Sequence, residues 1–261
     1  MDRLKKCGHM PSINRYGFTL VELMVALALS SIVSIGIYTT FISQNKSYTV
    51  QSRVVEMQQT LRTVFLIMEK DIRMAGYDPN LSGNFVIIIA TNNSFGFGID
   101  WDEDGVLDGS EDFKYELYDS NDPDTEKNEF HRMSGGAAIA YHISALEFAY
   151  AYDADGDGDN DTAGGQTIWA IPNGLNWFNL DSNNDGDIDI NDTQGGTDTL
   201  TNVDLKDIRA VRVWVLVRAS KTDSEYTNQN IYVVGGTHFT PNDHYRRILG
   251  MTTVKLRNAG L

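Results

Sequence analysis

An apolar stretch near the N-terminus constrains this chain more than any other part of its sequence. Residues 18–42 are 25 residues with a single charge, Glu22, and no proline. A run of this length can cross a bilayer as an α-helix. Basic residues precede it and none lies within it, so we expect a cytoplasmic N-terminus and export of the rest.

Two common kinds of apolar segment fit this stretch poorly. A cleaved signal peptide needs a short apolar core before a small-residue cleavage site, but here Ser30, Ser31 and Ser34 lie inside the run. A plain signal anchor leaves Glu22 unexplained, because a carboxylate near the start of a membrane helix is costly and usually functional. The signal anchor remains the weaker alternative.

The start of the stretch carries a specific motif, Gly17-Phe18-Thr19-Leu20-Val21-Glu22. It resembles the processing site of type IV prepilins and of type II secretion pseudopilins. The resemblance implies cleavage between Gly17 and Phe18 by a prepilin peptidase on the cytoplasmic face, which removes a leader of residues 1–17. It also implies N-methylation of Phe18. A buried carboxylate is tolerated when it is paired, so we expect Glu22 to meet the Phe18 amine of a neighbouring subunit.

The helix is predicted to continue beyond the membrane. Residues 43–76 carry apolar side chains spaced by three or four, which is typical of an amphipathic helix packed on a domain. Gly76 is expected to end the helix, and Pro79 prevents its resumption. The predicted stripe comprises Val54, Met57, Leu61, Val64, Phe65, Met68 and Ile72.

The remainder, residues 84–258, is predicted to form a β-rich domain. Strands are indicated at residues 85–91, 113–118, 140–150 and 245–257, and most strongly at Ile208–Arg218. In that last run the alternate valines share one face, and the opposite face mixes arginines with apolar residues, so we expect the second face to be only partly covered. The predicted fold class is α+β: one long helix laid across an antiparallel sheet, with acidic loop insertions.

Within the pilin-like proteins, the sequence is most similar to PilW-type minor pilins. The similarity rests on residues 73–77 (RMAGY), on residues 211–218 (VRVWVLVR) and on two pieces of the C-terminal end, 245–247 (YRR) and 256–258 (LRN). Residues 92–130 and 151–205 carry none of it, so we interpret them as insertions into the domain.

Composition excludes several classes of function. The net charge of −15 argues against nucleic acid as a partner, because phosphate binding needs a basic surface. The only cysteine, Cys7, lies in the predicted leader, so the processed chain would have neither a disulfide nor a thiol nucleophile. The histidines are scattered without metal-ligand spacing, so no catalytic constellation is predicted and we expect no enzyme.

Three acidic loops carry a second chemical signal. Calcium prefers six to eight oxygen ligands, and a twelve-residue loop supplies them from positions 1, 3, 5, 7, 9 and 12 around a glycine at position 6. Two loops fit this pattern, and we predict two or three Ca²⁺ sites. The predicted ligands in the first acidic loop (residues 100–111) are Asp100, Asp102, Asp104, Val106 through its carbonyl, Asp108 and Glu111. Those in the third acidic loop (residues 181–192) are Asp181, Asn183, Asp185, Asp187, Asp189 and Asp192.

The second acidic loop (residues 153–161) begins correctly but has Gly164 at position 12, so it lacks the closing carboxylate. Its candidate ligands are Asp153, Asp155, Asp157, Asp159 and Asp161. Solvated acidic turns are the alternative for all three loops, because aspartate and glycine are common turn formers. The third loop also resembles a dockerin repeat, but a dockerin needs two such loops that each lead into a short helix, so this is the weaker alternative.

These features predict a minor pilin of a type IV pilus that takes part in assembly or priming, with calcium-stabilised loops. The resemblance implies as partners other minor pilins, the major pilin, the prepilin peptidase and the inner-membrane assembly machinery. It also implies a single-pass inner-membrane precursor that later joins the extracellular pilus. A type II secretion pseudopilin and a pilin-anchored, calcium-dependent adhesin remain as alternatives.

Overall fold

The structure is a computed structural model that describes residues 17–118, 129–132, 137–173, 176–201 and 203–258. Most of the predicted leader, residues 1–16, and residues 119–128 of the first predicted insertion lie outside the described residues. The chain divides into two compact units, Met1–Gln51 and Ser52–Leu261.

One long helix, α1, runs over Leu20–Met74. In the first unit its side chains are almost all exposed. In the second unit the predicted stripe packs inward: Met57, Val64, Met68 and Ile72 are fully or nearly fully buried, and Val54, Leu61 and Phe65 pack against the same core. Burying each of these side chains stabilises the domain by about 1.5–3 kcal/mol. The helix ends just before Gly76, whose φ of +75° suits a residue without a side chain.

The strands follow the helix in chain order. They are β1 Ile87–Ala90, β2 Ser94–Gly98, β3 Asp112–Tyr118, β4 Glu129–Arg132, β5 Ala137–Ala140, β6 Ile143–Tyr152, β7 Thr162–Ala163, β8 Gln166–Thr167, β9 Ala170–Asn173, β10 Asn176–Asn179, β11 Thr197–Thr201, β12 Ile208–Arg218, β13 Tyr232–Val234, β14 Thr237–Phe239 and β15 Arg247–Lys255. A short 3₁₀ turn at Leu205–Asp207 leads into β12.

These strands form two main antiparallel sheets rather than the single sheet that we predicted. The five-stranded sheet has the order β1-β2-β3-β4-β5, and the six-stranded sheet has the order β11-β10-β9-β6-β12-β15. The remaining strands form two small hairpins, β7–β8 and β13–β14. The run of residues 140–150, predicted as one strand, belongs to β5 and β6, and between them His142 takes a φ of +65°. The α+β class itself is confirmed.

The central strand of the larger sheet is β12, which pairs with β6 on one side and β15 on the other. Its four alternate valines are buried in the same core as the helix stripe. The opposite face, expected to be only partly covered, is also closed: Trp214 and Leu216 are buried in a second cluster. Hairpin β13–β14 and Ile188 cover that face, and no local pattern in β12 indicates such distant partners.

The segments interpreted as insertions contribute core strands. The first supplies β2 and β3, whose fully buried Phe95, Phe97, Phe113 and Tyr115 form one aromatic cluster with Phe148 and Tyr150 of β6. The second supplies β9, β10 and β11 of the six-stranded sheet. The acidic loops therefore connect strands that contribute side chains to the core.

The helix approaches the sheet edge closely at one point. A side chain added at Gly250 in β15 would place its Cβ 2.5 Å from a methyl carbon of Leu61 and 2.9 Å from the ring of Phe65. A larger residue there would have to displace the side chains of Leu61 and Phe65, so glycine favours the close packing of α1 on β15. Beside it, Thr252 donates a hydrogen bond of 2.7 Å to Glu69 of the helix.

Candidate functional site: the N-terminal motif and three acidic loops

The N-terminal motif forms a closed hydrogen-bonded cap at the start of α1. The Glu22 carboxylate accepts bonds from the Thr19 backbone N–H (2.8 Å) and hydroxyl (2.9 Å). In return, the Glu22 N–H donates to the Thr19 hydroxyl oxygen at 3.2 Å. This reciprocal pair is a capping box, which satisfies N–H groups that the first helical turn leaves open. The spacing Thr-x-x-Glu could have predicted it, but our sequence reasoning considered Glu22 only as a partner for another subunit.

Within the described part of the chain, α1 has the length and apolar composition to cross a membrane. The side chain of Phe18 is exposed at its start, as are the apolar side chains of residues 20–42. Because α1 begins at Leu20, the predicted cleavage site between Gly17 and Phe18 lies before the first helical turn.

The three acidic loops share one backbone conformation. Position 4 is in the left-handed region in each, at Glu103, Gly156 and Asn184, with φ of 61°, 74° and 57°. Position 6 is a left-handed glycine in each, at Gly105, Gly158 and Gly186. A non-glycine residue rarely adopts positive φ, so the repeat of this conformation indicates that all three loops make the same turn.

The hydrogen bonds of the loops also repeat. The carboxylate at position 1 accepts a bond from the glycine N–H at position 6: 3.2 Å for Asp100, 3.2 Å for Asp153 and 2.8 Å for Asp181. The carboxylate at position 12 accepts a bond from the N–H at position 2, from Trp101 to Glu111 (2.9 Å) and from Ser182 to Asp192 (2.8 Å). Position 12 thus folds back beside position 1, where an ion would need it.

The second acidic loop closes by a shorter route than its sequence indicated. We judged it to lack a closing carboxylate because position 12 is Gly164. In the structure Asp161, at position 9, takes that place and accepts a bond of 3.4 Å from the N–H of Ala154 at position 2. A nine-residue version of the loop therefore reaches the same arrangement.

Carboxylates converge in two of the loops. The ligand atoms of Asp100, Asp102 and Glu111 lie within 4.8 Å of one another, and so do those of Asp153, Asp155 and Asp161. The third loop has Asn183 at position 3, so its equivalent set is two carboxylates and an amide. Asp104 and Asp108 instead accept bonds of 2.7 Å from the N–H groups of Val106 and Ser110. For the remaining predicted ligands, including the carbonyl of Val106, coordination of an ion stays a prediction.

The electrostatics differ among these carboxylates. The pKa of Asp102 lies above its ordinary value: the N–H of Asp104 lowers it, but burial and the charges of Asp104, Glu111 and Asp100 outweigh that bond. Burial and three neighbouring aspartates likewise raise the pKa of Asp161. For Asp153, burial is outweighed by bonds from Gly156 and Gly158 and by the nearby Arg209, so its pKa is lowered. Repulsion between close carboxylates is what a bound cation would relieve.

Two arginines near the C-terminus have structural roles that the sequence did not reveal. Arg247 makes a bidentate ion pair with Asp243, with both distances 2.6 Å. Arg246 donates two bonds to Asp223 at 3.0 and 3.1 Å, and Arg53 of α1 lies 3.9 Å from the same carboxylate. Through these ion pairs, the segment of residues 220–246 is linked to β15 by Arg247 and to α1 by Arg53.

Two regions of the chain match known protein families. Residues 13–38 match a family model described as the prokaryotic N-terminal methylation motif. Residues 174–258 match the model of the type IV pilus-assembly protein W, PilW. Over these two regions the chain is similar to type IV pilin-like proteins of the PilW type. The PilW match includes β12, β15, the arginine pairs and the third acidic loop, but it does not extend to residues 73–77.

The match also begins within residues 151–205, so the last part of that predicted insertion belongs to the PilW region. A solved structure similar to this chain is the type IV-like pilin TTHA1219 from Thermus thermophilus, with 10% sequence identity and a TM-score of 0.40 over 78% of this chain and 98% of that one. No curated protein matches the chain. The methylation motif and the apolar helix fit a membrane-anchored pilin.

Proposed function

We propose that this PilW-type protein is a minor subunit of a type IV pilus that takes part in pilus assembly or priming, without catalytic activity. The observation that carries the proposal is the presence in one chain of a methylation motif at residues 13–38 and a PilW region at residues 174–258. Its partners are other minor pilins, the major pilin, the prepilin peptidase and the inner-membrane assembly machinery.

The N-terminal motif supplies the route into the filament. The precursor is a single-pass inner-membrane protein with a cytoplasmic N-terminus, and the peptidase cleaves between Gly17 and Phe18. The new amine of Phe18 is methylated, and the processed chain leaves the membrane for the extracellular pilus. In the filament, the Glu22 carboxylate pairs with the Phe18 amine of a neighbouring subunit and sets the axial register. Such a pair is favoured because each charge in an apolar environment needs a partner.

Substitution of Glu22 tests this route. Glu22→Ala is expected to leave cleavage and membrane insertion intact but to reduce the protein's incorporation into sheared pili, measured by immunoblotting. Thr19→Ala is a matched control, since it disrupts the capping box but retains the carboxylate. Normal incorporation of Glu22→Ala would contradict the pairing.

A type II secretion pseudopilin shares the methylation motif, so the two functions need a separate experiment. Deletion of the gene is expected to reduce piliation and to leave secretion of exoproteins unchanged. Lost secretion with normal piliation would favour the pseudopilin. The gene neighbourhood also distinguishes the two functions: adjacent minor-pilin genes favour the pilus, and adjacent secretion genes favour the pseudopilin.

We further propose that the acidic loops bind calcium and stabilise the domain. The support is the shared turn of all three loops and the convergence of Asp100, Asp102 and Glu111 and of Asp153, Asp155 and Asp161. Calcium at millimolar concentration is expected to raise the melting temperature of the detergent-solubilised chain, because an ion that binds only the folded state stabilises it. An unchanged melting temperature with calcium would reduce the loops to ordinary turns.

A further inference from the structure

The first acidic loop differs from the other two at its position 1 carboxylate. Asp100 is completely buried, and its Oδ1 oxygen has no hydrogen-bond partner among the described residues. In the third loop both oxygens of Asp181 accept backbone bonds, at 3.1 and 2.8 Å. In the second loop Arg209 lies 3.2 Å from Asp153. Only the first loop thus leaves a buried position 1 oxygen without a partner.

A buried carboxylate oxygen without a partner is unfavourable, because it loses hydration and gains nothing in exchange. Its neighbours here are Asp102 and Glu111, whose ligand atoms lie within 4.8 Å of that of Asp100. Hard divalent cations such as calcium prefer oxygen ligands of this kind. A cation could therefore satisfy the Oδ1 oxygen of Asp100, for which the described residues offer no donor.

The same loop is bound to the segment that follows the helix, residues 77–84, which we call the junction segment. Tyr77 donates to the Glu103 carboxylate at 3.3 Å, and Asn80 donates to the carbonyl of Glu103. Asn84 donates to the carbonyl of Gly105 at 2.9 Å. At the loop's entry, the N–H of Asp100 donates to the Tyr77 carbonyl at 3.0 Å.

These contacts fall on the part of the loop that an ion would hold. Glu103 and Gly105 are the two left-handed residues of the turn, and Asp100 is the position 1 ligand. The turn that brings the carboxylates together is thus also the turn that presents carbonyls to Asn80 and Asn84. The junction segment in turn contributes Pro79 and Leu81 to the wall of a cavity of about 630 Å³.

We propose that a calcium ion bound in the first acidic loop clamps the junction segment, and so fixes the end of α1 to the sheet domain and sets one wall of that cavity. The proposal rests on the calcium-binding function proposed above and assigns it a specific consequence. Ion binding orders residues 77–84 through Glu103 and Gly105. Binding at the third loop does not.

Hydrogen exchange of the full chain in detergent micelles, with and without calcium, tests the clamp. Calcium is expected to slow exchange of the amides of residues 77–84 by about tenfold. Asp100→Asn is expected to abolish that effect, whereas Asp181→Asn, the same change at position 1 of the third loop, leaves it intact. Asp102→Asn, at an exposed position of the same loop, provides a second variant that leaves the buried carboxylate of Asp100 unchanged.

Calcium binding is measured separately by titration calorimetry, with terbium luminescence sensitised by Trp101 as a local probe of the first loop. Calcium binding that leaves exchange in residues 77–84 unchanged would overturn the clamp but retain calcium binding. Absence of binding to the unsubstituted chain would overturn both. Protection that survives both Asp100→Asn and Asp102→Asn would assign the effect to another loop and also overturn the clamp.

Discussion

Glu147 is a carboxylate held inside the six-stranded sheet. It lies in β6 opposite Trp214 of β12, it is only 8% exposed, and it accepts a bond of 2.9 Å from Gly236 in the turn of hairpin β13–β14. Burial raises its pKa to about 7 from 4.5, against bonds from Thr237 and Gly236 that lower it. Glu147 therefore links a distant hairpin to the sheet at an electrostatic cost that depends on pH.

This cost predicts a pH dependence of folding. Because the pKa of this acid is raised in the folded state, Glu147 opposes folding once it is ionised. Its contribution is neutral below about pH 4.5, grows unfavourable as pH rises to about 7, and reaches roughly 3 kcal/mol above that. Glu147→Gln, which retains an acceptor oxygen, is expected to be more stable than the unsubstituted chain at pH 8 and about equal at pH 4.5.

Urea unfolding monitored by tryptophan fluorescence at several pH values measures the difference between the two chains. Glu56→Gln, at an exposed glutamate of α1, serves as the control and is expected to show no such trend. If the gap between Glu147→Gln and the unsubstituted chain does not vary with pH, the carboxylate is not buried in a protonated form.

At the scale of elements, a buried carboxylate of α1 makes polar contacts with two strands of the five-stranded sheet. Asp71 of the helix is 4% exposed and accepts a hydrogen bond of 2.6 Å from the Tyr115 hydroxyl of β3. Arg132 of β4 lies 3.1 Å from the same carboxylate and stacks on Phe113 at 4.3 Å. The contact brings one helix and two strands to a single carboxylate.

Removing Asp71 should therefore cost much more than removing a surface charge. Asp71→Ala is expected to lower the free energy of unfolding by about 3 kcal/mol, since it leaves a buried hydroxyl and a guanidinium without their partner. Arg73→Ala, two residues away, breaks an exposed i,i+4 pair of 3.6 Å and is expected to cost less than about 0.5 kcal/mol. Urea unfolding of both variants measures the costs; equal effects would argue against a structural role for Asp71.

The elements differ in how far the sequence could predict them. The helix and β12 were predictable because their side-chain spacing is local: every three or four residues in α1 and every second residue in β12. The second face of β12 was not, because residues 232–239 close it from a distant part of the chain. The two phenylalanines of β2 were not predicted as part of a strand, because they alternate with glycines. Asp161 was among the predicted ligands, but its role in closing the second loop was missed because we assumed a fixed twelve-residue spacing.

At the scale of the whole molecule, the acidic loops cannot be removed together with the segments that carry them. Residues 92–130 include buried Phe95, Phe97, Phe113 and Tyr115, and residues 151–205 include half of the six-stranded sheet. A calcium-dependent adhesin, in which these segments serve only for attachment, must therefore be tested by substitution and not by deletion.

The combined variant Asp100→Asn, Asp153→Asn and Asp181→Asn is expected to remain folded and to be incorporated into pili, because the loop backbones hold their turn through bonds that asparagine also accepts. Deletion of residues 92–118 is expected to leave no protease-resistant domain. If the triple variant is piliated but attachment to surfaces is lost, the adhesin gains support; unchanged attachment with normal piliation contradicts it.

The capping box at Thr19 and Glu22 changes how assembly is best described. Within a single chain, the Glu22 carboxylate already accepts two hydrogen bonds from Thr19, and the Glu22 backbone N–H donates a third to the Thr19 hydroxyl. In the membrane-anchored precursor proposed above, the carboxylate would therefore already be hydrogen-bonded before it meets another subunit. If the proposed pairing with a neighbouring Phe18 amine forms in a filament, it replaces these bonds, so its driving force is the difference in free energy between two states in which the carboxylate is hydrogen-bonded or paired.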